Sequence, residues 1–137
     1  MKKEWFSFLP GIFWTLLVAV LLTLPGSAFP TEDWLDLIWF DKWVHIGLFA
    51  AIVVTWSWGV YKEGIQNPYR LLVWITVLAI LYGTGMEFVQ RYLVVNRSFD
   101  GGDIIADAVG AYAGYLYSSK TFIKKIDPCG DRGRNQN

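Results

Sequence analysis

The segment WVHIGLFAAIVVTWSWGVY, residues 43–61, determines the fold class of this chain. It contains no Asp, Glu, Lys or Arg, and its length is near the ~20 residues with which an α-helix crosses about 30 Å of hydrocarbon. Apolar and polar residues do not alternate along it, which argues against a β-strand. Because a single segment in lipid satisfies its backbone hydrogen bonds only as a helix, the stretch predicts a transmembrane helix.

Three further apolar stretches resemble this one, so we predict four helical spans at residues 8–24, 43–61, 69–90 and 104–123. The composition agrees, because 54% hydrophobic and 18% aromatic residues are too apolar for an ordinary soluble domain. Four segments are too few to close a transmembrane barrel. The predicted fold is all-α: one four-helix transmembrane domain over residues 1–126, followed by a disordered cytoplasmic tail over 127–137.

The distribution of basic residues predicts the orientation of these helices. Nine basic residues fall on one side of the four predicted spans, and the positive-inside rule makes that side cytoplasmic. They are Lys2, Lys3, Lys62, Arg70, Lys120, Lys124, Lys125, Arg132 and Arg134. We therefore expect a multi-pass protein of the cell membrane with both termini inside. One alternative reading makes the first stretch a signal peptide with a small-residue cleavage site at residues 26–28, although Glu4 and Pro30 argue against it.

Charge and cysteine content exclude two classes of protein. The formal net charge is zero at pH 7, so no basic field predicts nucleic acid as a partner. Cys129 is the single cysteine of the sequence, which excludes a disulfide framework. Membrane lipids are the expected partners, and a homo-oligomer is left open.

Polar side chains beside the apolar segments concentrate on the predicted extracytoplasmic side. A charge in hydrocarbon costs several kcal/mol, so such groups usually pair, line a wet cavity or do chemistry. His45, Glu87 and Asp107 are the candidates for a reactive role. The candidates for binding a ligand are Asp41, Lys42, Gln90, Arg97, Asp100 and Asp103.

Helical spacing places several of these groups on shared faces. Asp41 and His45 are four residues apart, so they share a face of the second span. Asp41 is also suited to cap that helix, and Lys42 to extend into the head-group layer. The third and fourth spans each carry a stripe of small and polar residues, and these two stripes are expected to face each other. They comprise Gly83, Glu87, Gln90 and Arg91 in the third span, and Asp103, Asp107, Gly110 and Gly114 in the fourth.

The acidic residues of such a pocket need a compensating proton or cation. If the stripes meet, Glu87 and Asp107 become neighbours, and two carboxylates in a poorly solvated site need a proton or a cation between them. Lys42, Arg97 or a protonated His45 can supply it, with Arg97 folding back from a loop whose Asp103 can cap the last helix. A divalent metal is a further option, since the ligand types suit it, although no recognised metal-binding spacing is present. No cofactor is otherwise expected.

The ordered set of motifs resembles the VanZ-like family of small membrane proteins, named from glycopeptide (teicoplanin) resistance clusters. The matching pieces run from residue 41 to residue 114: Asp41-Lys42 with His45, Glu87 with Gln90, Arg97 before Asp103, and Asp107 with Gly110 and Gly114. Where this chain has Asp107, the family often has asparagine. The resemblance implies an integral membrane protein linked to envelope or antibiotic-response functions, and it implies no particular reaction.

The sequence is compatible with three functions. The first is recognition of an anionic envelope lipid, a lipid-linked cell-wall precursor or a lipoglycopeptide antibiotic, with Arg97 and Lys42 holding the anion. The second is an intramembrane hydrolase or transferase with His45 as base or nucleophile and Glu87 or Asp107 as its proton partner. In the third, the charges only fix helix register in a structural or partner-binding protein. The absence of a recognised nucleophile motif or metal signature favours a binding role over an enzyme.

Overall fold

The computed structural model describes residues 5–28 and 39–126. Within these ranges the regular elements are all helical, which confirms the all-α part of the predicted fold. A 3₁₀ turn at Trp5–Phe8 leads into α1 (Leu9–Thr23), and α2 (Phe40–Glu63), α3 (Pro68–Leu93) and α4 (Gly101–Ser118) follow. A further 3₁₀ turn lies at Gly26–Ala28, and the chain after α4 continues through a π-helical turn at Ser119–Ile123 to Lys124–Ile126. The predicted tail with Cys129 lies outside the described residues, as do Lys2 and Lys3.

Three helical segments are long and apolar enough to cross a membrane: Trp5–Thr23, Phe40–Glu63 and Pro68–Leu93. They indicate a membrane protein. The helix α4 is less apolar, because it carries Asp103 and Asp107, both buried, together with several glycines and tyrosines. Its outward face is nevertheless apolar, with Ile105, Val109, Tyr112 and Leu116 exposed. A fourth span therefore stays a prediction, as does the sidedness of the termini.

Local sequence explains where the helices begin and end. Gly64 adopts a left-handed conformation with φ 55° and ends α2, as glycine does at many helix C-termini. Pro68 occupies the first turn of α3, where its missing N–H costs nothing. The predicted cap of α2 is wrong: Asp41 lies in the first turn, and the capping position belongs to Trp39, which makes no side-chain cap bond. An acid in that turn still interacts favourably with the helix dipole.

The start of α4 also corrects a prediction. Asp100, rather than Asp103, caps this helix, because its carboxylate accepts a hydrogen bond of 2.7 Å from the backbone N–H of Gly102. Asp103 follows in the first turn. The cap leaves the Asp103 side chain available for contacts with α2.

The small residues of α4 pack against α2, not against α3 as the stripes predicted. A Cβ at Gly110 would overlap the carbonyl of Ile46, and one at Gly114 would lie 2.6 Å from the carbonyl oxygen of Ala50. The two helix backbones can approach this closely because neither glycine carries a side chain. The helix α4 therefore lies directly along α2, which brings its first two turns beside the start of α2.

Two hydrogen bonds between a side chain and a backbone carbonyl attach α1 to its neighbours, one to α2 and one to α3. The indole of Trp14 donates to the carbonyl of Leu48 at 3.0 Å, and the Tyr82 hydroxyl donates to the carbonyl of Thr15 at 3.0 Å. An apolar cavity of about 440 Å³ lies between these three helices, lined among others by Trp56 and Ile75. It occupies the half of the bundle away from the polar cluster.

Candidate functional site

The predicted polar residues meet at one end of the bundle. This end is formed by the start of α2, the end of α3 and the start of α4. Four of its ionisable side chains are almost completely buried, with exposures of 1% for His45, 1% for Glu87, 3% for Asp103 and 1% for Asp107. The clustering inferred from helical spacing is therefore present in the structure, with groups from three helices.

The centre of this site is a histidine–aspartate pair between α2 and α4. The Nδ1 atom of His45 lies 2.8 Å from Oδ1 of Asp107, within hydrogen-bond distance. Gly83 on α3 makes room for this pair, because a Cβ there would overlap the Asp107 carboxylate. If the imidazole is neutral and donates from Nδ1, its Nε2 carries a lone pair. The pair can thus present a basic nitrogen on the side facing Asp103.

Lys42 joins the start of α2 to the start of α4. Its ammonium donates hydrogen bonds to Asp100 at 2.6 Å and to Asp103 at 2.7 Å. Gly102 permits this approach, because a Cβ there would lie 2.7 Å from the lysine Cε. The hydrogen bond from Lys42 lowers the pKa of the Asp100 carboxyl below its ordinary value, with a further contribution from the Gly102 N–H. The lysine therefore pairs with carboxylates within the protein rather than extending freely into the head-group layer.

Glu87 contributes the acid from α3. One of its oxygens accepts a hydrogen bond of 3.2 Å from the backbone N–H of Asp100. Its carboxyl also interacts electrostatically with His45, Asp103 and Asp107. The contact predicted between the α3 and α4 stripes thus occurs at their polar ends, where Glu87 and Gly83 approach Asp107.

Two predicted ligand-binding residues have different surroundings. Gln90 is buried, but its amide donates to the carbonyl of Leu22 at 2.8 Å. That carbonyl belongs to the last turn of α1, where backbone acceptors lack partners within the helix. This bond gives Gln90 a structural role in joining α1 to α3. Arg97 is half-buried in the loop between α3 and α4.

Three buried polar atoms of the cluster have no hydrogen-bond partner among the described residues. They are Nε2 of His45, Oε1 of Glu87 and Oδ2 of Asp107. A buried polar atom without a partner costs about 1–3 kcal/mol, and native proteins rarely tolerate several of them together. All three can accept a hydrogen bond or bind a cation, so the site is suited to donors such as hydroxyls, ammonium groups or metal ions.

Sequence reasoning missed one part of the site. A cavity of about 160 Å³ lies beside the cluster, and its lining comprises Trp39, Phe40, Asp41 and Lys42. Aromatic residues near the ends of apolar helices are usually membrane anchors, so a role for these two in lining a cavity does not stand out in the sequence. The available signal was their position, because Trp39 and Phe40 directly precede the two charged residues.

No family model, curated protein or solved structure matches this chain. The resemblance to the VanZ-like family therefore stays a prediction that depends on the order of the motifs.

Proposed function

We propose that this chain is a VanZ-like, multi-pass protein of the cell membrane whose polar site recognises the head group of an envelope lipid or lipid-linked precursor at the extracytoplasmic interface. The observation that carries the proposal is a set of three buried acceptors, on His45, Glu87 and Asp107, that have no hydrogen-bond partner within the described part of the chain. They lie in a cluster beside a cavity of about 160 Å³ next to Asp41 and Lys42. That cavity is lined by Trp39, Phe40, Asp41 and Lys42, and a hydroxyl or cation that reached the three buried atoms from it would give them the partners that the described residues do not supply.

The proposed orientation has four spans and both termini in the cytoplasm. Its support is the separation of charge along the bundle. Lys62 lies in the last turn of α2, Arg70 lies in the first turn of α3, and Lys120, Lys124 and Lys125 follow α4, so these cations share one end. The carboxylates of the site lie at the opposite end. The positive-inside rule assigns the cationic end to the cytoplasm.

The chemistry of the site favours particular head groups. The unpaired atoms on Glu87 and Asp107 are acceptors, which suits the hydroxyls of a sugar or polyol. Lys42 already donates to Asp100 and Asp103, so its ammonium is bound to carboxylates of the protein and not available for the anionic ligand that the sequence predicts. A sugar-bearing or polyol-bearing lipid head group therefore fits the described side chains better than a bare anion does.

Lipid co-purification tests this proposal. The full chain is extracted in mild detergent, and its bound lipids are compared by mass spectrometry with those of the bulk membrane. We expect one head-group class to be enriched in wild type and lost in Glu87→Gln. The matched control is Glu63→Gln at the opposite end of α2, where the carboxylate accepts a 2.6 Å hydrogen bond from Ser7. No enrichment in wild type, or equal enrichment in both variants, would refute lipid recognition at this site.

An enzymatic role is the second candidate, because the His45–Asp107 pair at 2.8 Å is the arrangement of an oriented general base. Here His45 would remove a proton from water or from a hydroxyl of the lipid-linked substrate. Purified wild type, incubated with envelope lipid extract, should then release a water-soluble head group. Asp107→Asn should slow that release by about 10²-fold or more. No product from wild type over hours would leave recognition as the function.

A further inference from the structure

We infer that Asp41, His45 and Asp103 form a binding site for one divalent transition-metal ion, with Zn²⁺ the best match, at the outer end of the bundle. One ligand atom from each of these residues lies within 4.8 Å of the other two. Imidazole nitrogen and carboxylate oxygen are ordinary zinc ligands. The set comes from two helices, since Asp41 and His45 belong to α2 and Asp103 belongs to α4.

The orientation of the imidazole supports this site independently of the acidic cluster. His45 is 1% exposed, and its Nε2 has no hydrogen-bond partner among the described residues. The same nitrogen lies 3.8 Å from Oδ2 of Asp103, too far for a hydrogen bond. In a tetrahedral zinc site with bonds of about 2.0 Å, ligand atoms lie roughly 3.3 Å apart. A small closure between α2 and α4 would therefore place both atoms on one ion.

The surrounding bonds hold both ligands in position. Asp107 lies 2.8 Å from Nδ1 of His45, so a proton on Nδ1 leaves the Nε2 lone pair directed towards Asp103. This carboxylate–histidine arrangement is the usual outer support of a metal-bound imidazole. Lys42 engages Oδ1 of Asp103 at 2.7 Å, which leaves Oδ2 on the side of the histidine. His45 and Asp103 thus each bind their orienting residue through one atom and direct the other atom towards the metal site.

The charge of the cluster also calls for a cation. Asp41, Glu87, Asp103 and Asp107 lie around His45, and Lys42 is the ammonium that donates to this group within the described residues. The carboxylates of Glu87, Asp103 and Asp107 are almost completely buried, and charges gathered in so poorly solvated a region need a proton or a cation beside them. A divalent ion would meet that need, and a proton on His45 is the competing explanation that the experiment must separate.

A metal here would also define the ligand class, and this step rests on the proposed function. Three protein ligands leave one coordination position open, as in catalytic zinc sites. A phosphate oxygen of a lipid head group can occupy that position. The ion would then supply positive charge to the phosphate, because the ammonium of Lys42 is already bound to Asp100 and Asp103. The inferred ligand is a phosphate-linked lipid with hydroxyls in reach of Glu87 and Asp107.

Metal titration tests the site directly. The full chain is purified in detergent without a histidine tag, stripped with EDTA and titrated by calorimetry with ZnCl₂, MnCl₂, MgCl₂ or CaCl₂. We expect one Zn²⁺ per chain and an increase in unfolding temperature, with weaker binding of Mg²⁺ and Ca²⁺. His45→Ala should abolish binding, and Asp107→Asn should weaken it by about 10–100-fold. Glu63→Gln, which removes a carboxylate at the opposite end of α2, should leave the affinity unchanged.

A variant of Asp41 provides a test that does not depend on whether variants of the buried residues fold. Asp41 is exposed, so Asp41→Asn should fold normally and still lose affinity for Zn²⁺. No binding in wild type, or equal affinity in wild type and Asp41→Asn, would overturn the site and favour a protonated His45. Lipid enrichment that survives EDTA would overturn the metal–phosphate contact while sparing lipid recognition. Zinc binding without any lipid enrichment would instead refute the proposed function and spare the metal site.

Discussion

Replacing Lys42 by methionine should destabilise the bundle strongly, because this lysine compensates a buried carboxylate. The side chain of Asp103 is 5% exposed, that of Lys42 is 27% exposed and that of Asp100 is 50% exposed. Breaking a fully buried ion pair costs about 3–5 kcal/mol, whereas an exposed pair contributes about 0.2–1 kcal/mol. Since Lys42 retains some contact with solvent, we take the lower end of the buried range. The expected loss in free energy of unfolding is about 3 kcal/mol.

The assay is thermal unfolding in detergent with EDTA present, so that no metal contributes. Eight tryptophans provide the fluorescence signal. For a chain of this size, 3 kcal/mol corresponds to a decrease in Tm of roughly 10 °C. The matched control is Lys125→Met, an exposed lysine beyond α4, which should change the Tm by no more than about 1–2 °C.

A double variant separates lost compensation from lost packing. In Lys42→Met with Asp103→Asn, the buried carboxylate that Lys42 compensated is replaced by a neutral amide, so part of the lost stability should return. The reasoning would be refuted if Lys42→Met unfolded within 2 °C of Lys125→Met, on the scale where 1 kcal/mol is about 4 °C. It would also fail if Asp103→Asn lowered the stability of Lys42→Met by as much as it lowers the stability of the wild type.

Three further outcomes follow from the described contacts. Gln90→Leu should lower the free energy of unfolding by about 1–3 kcal/mol, measured by chemical denaturation, because it leaves the carbonyl at the end of α1 without its donor. Gly110→Ala should lower the Tm because its Cβ would overlap the α2 backbone, while Gly47→Ala, with open space around its Cβ, should not. The Asp100 pKa is lowered in the folded state, so its contribution is present above the ordinary pKa and decreases as pH falls through the folded value. Because this carboxyl is half exposed, the stability difference between wild type and Asp100→Asn should be under about 1 kcal/mol at pH 6 and should shrink below about pH 4.

The helices α2 and α3 could be predicted because their signals are local. The apolar run of residues 43–61 lies inside Phe40–Glu63, and that of 69–90 lies inside Pro68–Leu93. Gly64 and Pro68 mark the boundary between them through their own backbone preferences. The start of α4 was placed three residues late, at 104, because counting apolar residues excludes the capping turn that Asp100 creates.

Helix partners could not be predicted in the same way. A stripe of small residues indicates that a neighbour approaches closely, but it carries no information on which neighbour. Gly110 could therefore be assigned to a close contact from sequence, while its packing against Ile46 depends on the whole bundle. Gln90 shows the same limit, because its acceptor on Leu22 lies 68 residues earlier in the chain. A polar residue beside other polar residues is read as part of their site unless such a distant partner is known.

The cluster contains two groups of residues with different consequences. In the group formed by Lys42, Asp100 and Asp103, each ammonium contact holds α2 against α4, so loss of the lysine should reduce stability. In the group formed by His45, Glu87 and Asp107, three buried atoms lack partners among the described residues, at a combined cost of roughly 3–9 kcal/mol. Small domains are stable by only about 5–15 kcal/mol, so a cost of this size is large for a network that only fixes helix register. Atoms of this second group can therefore bind a proton, a water, a cation or a ligand group, and the proposed function depends on that capacity.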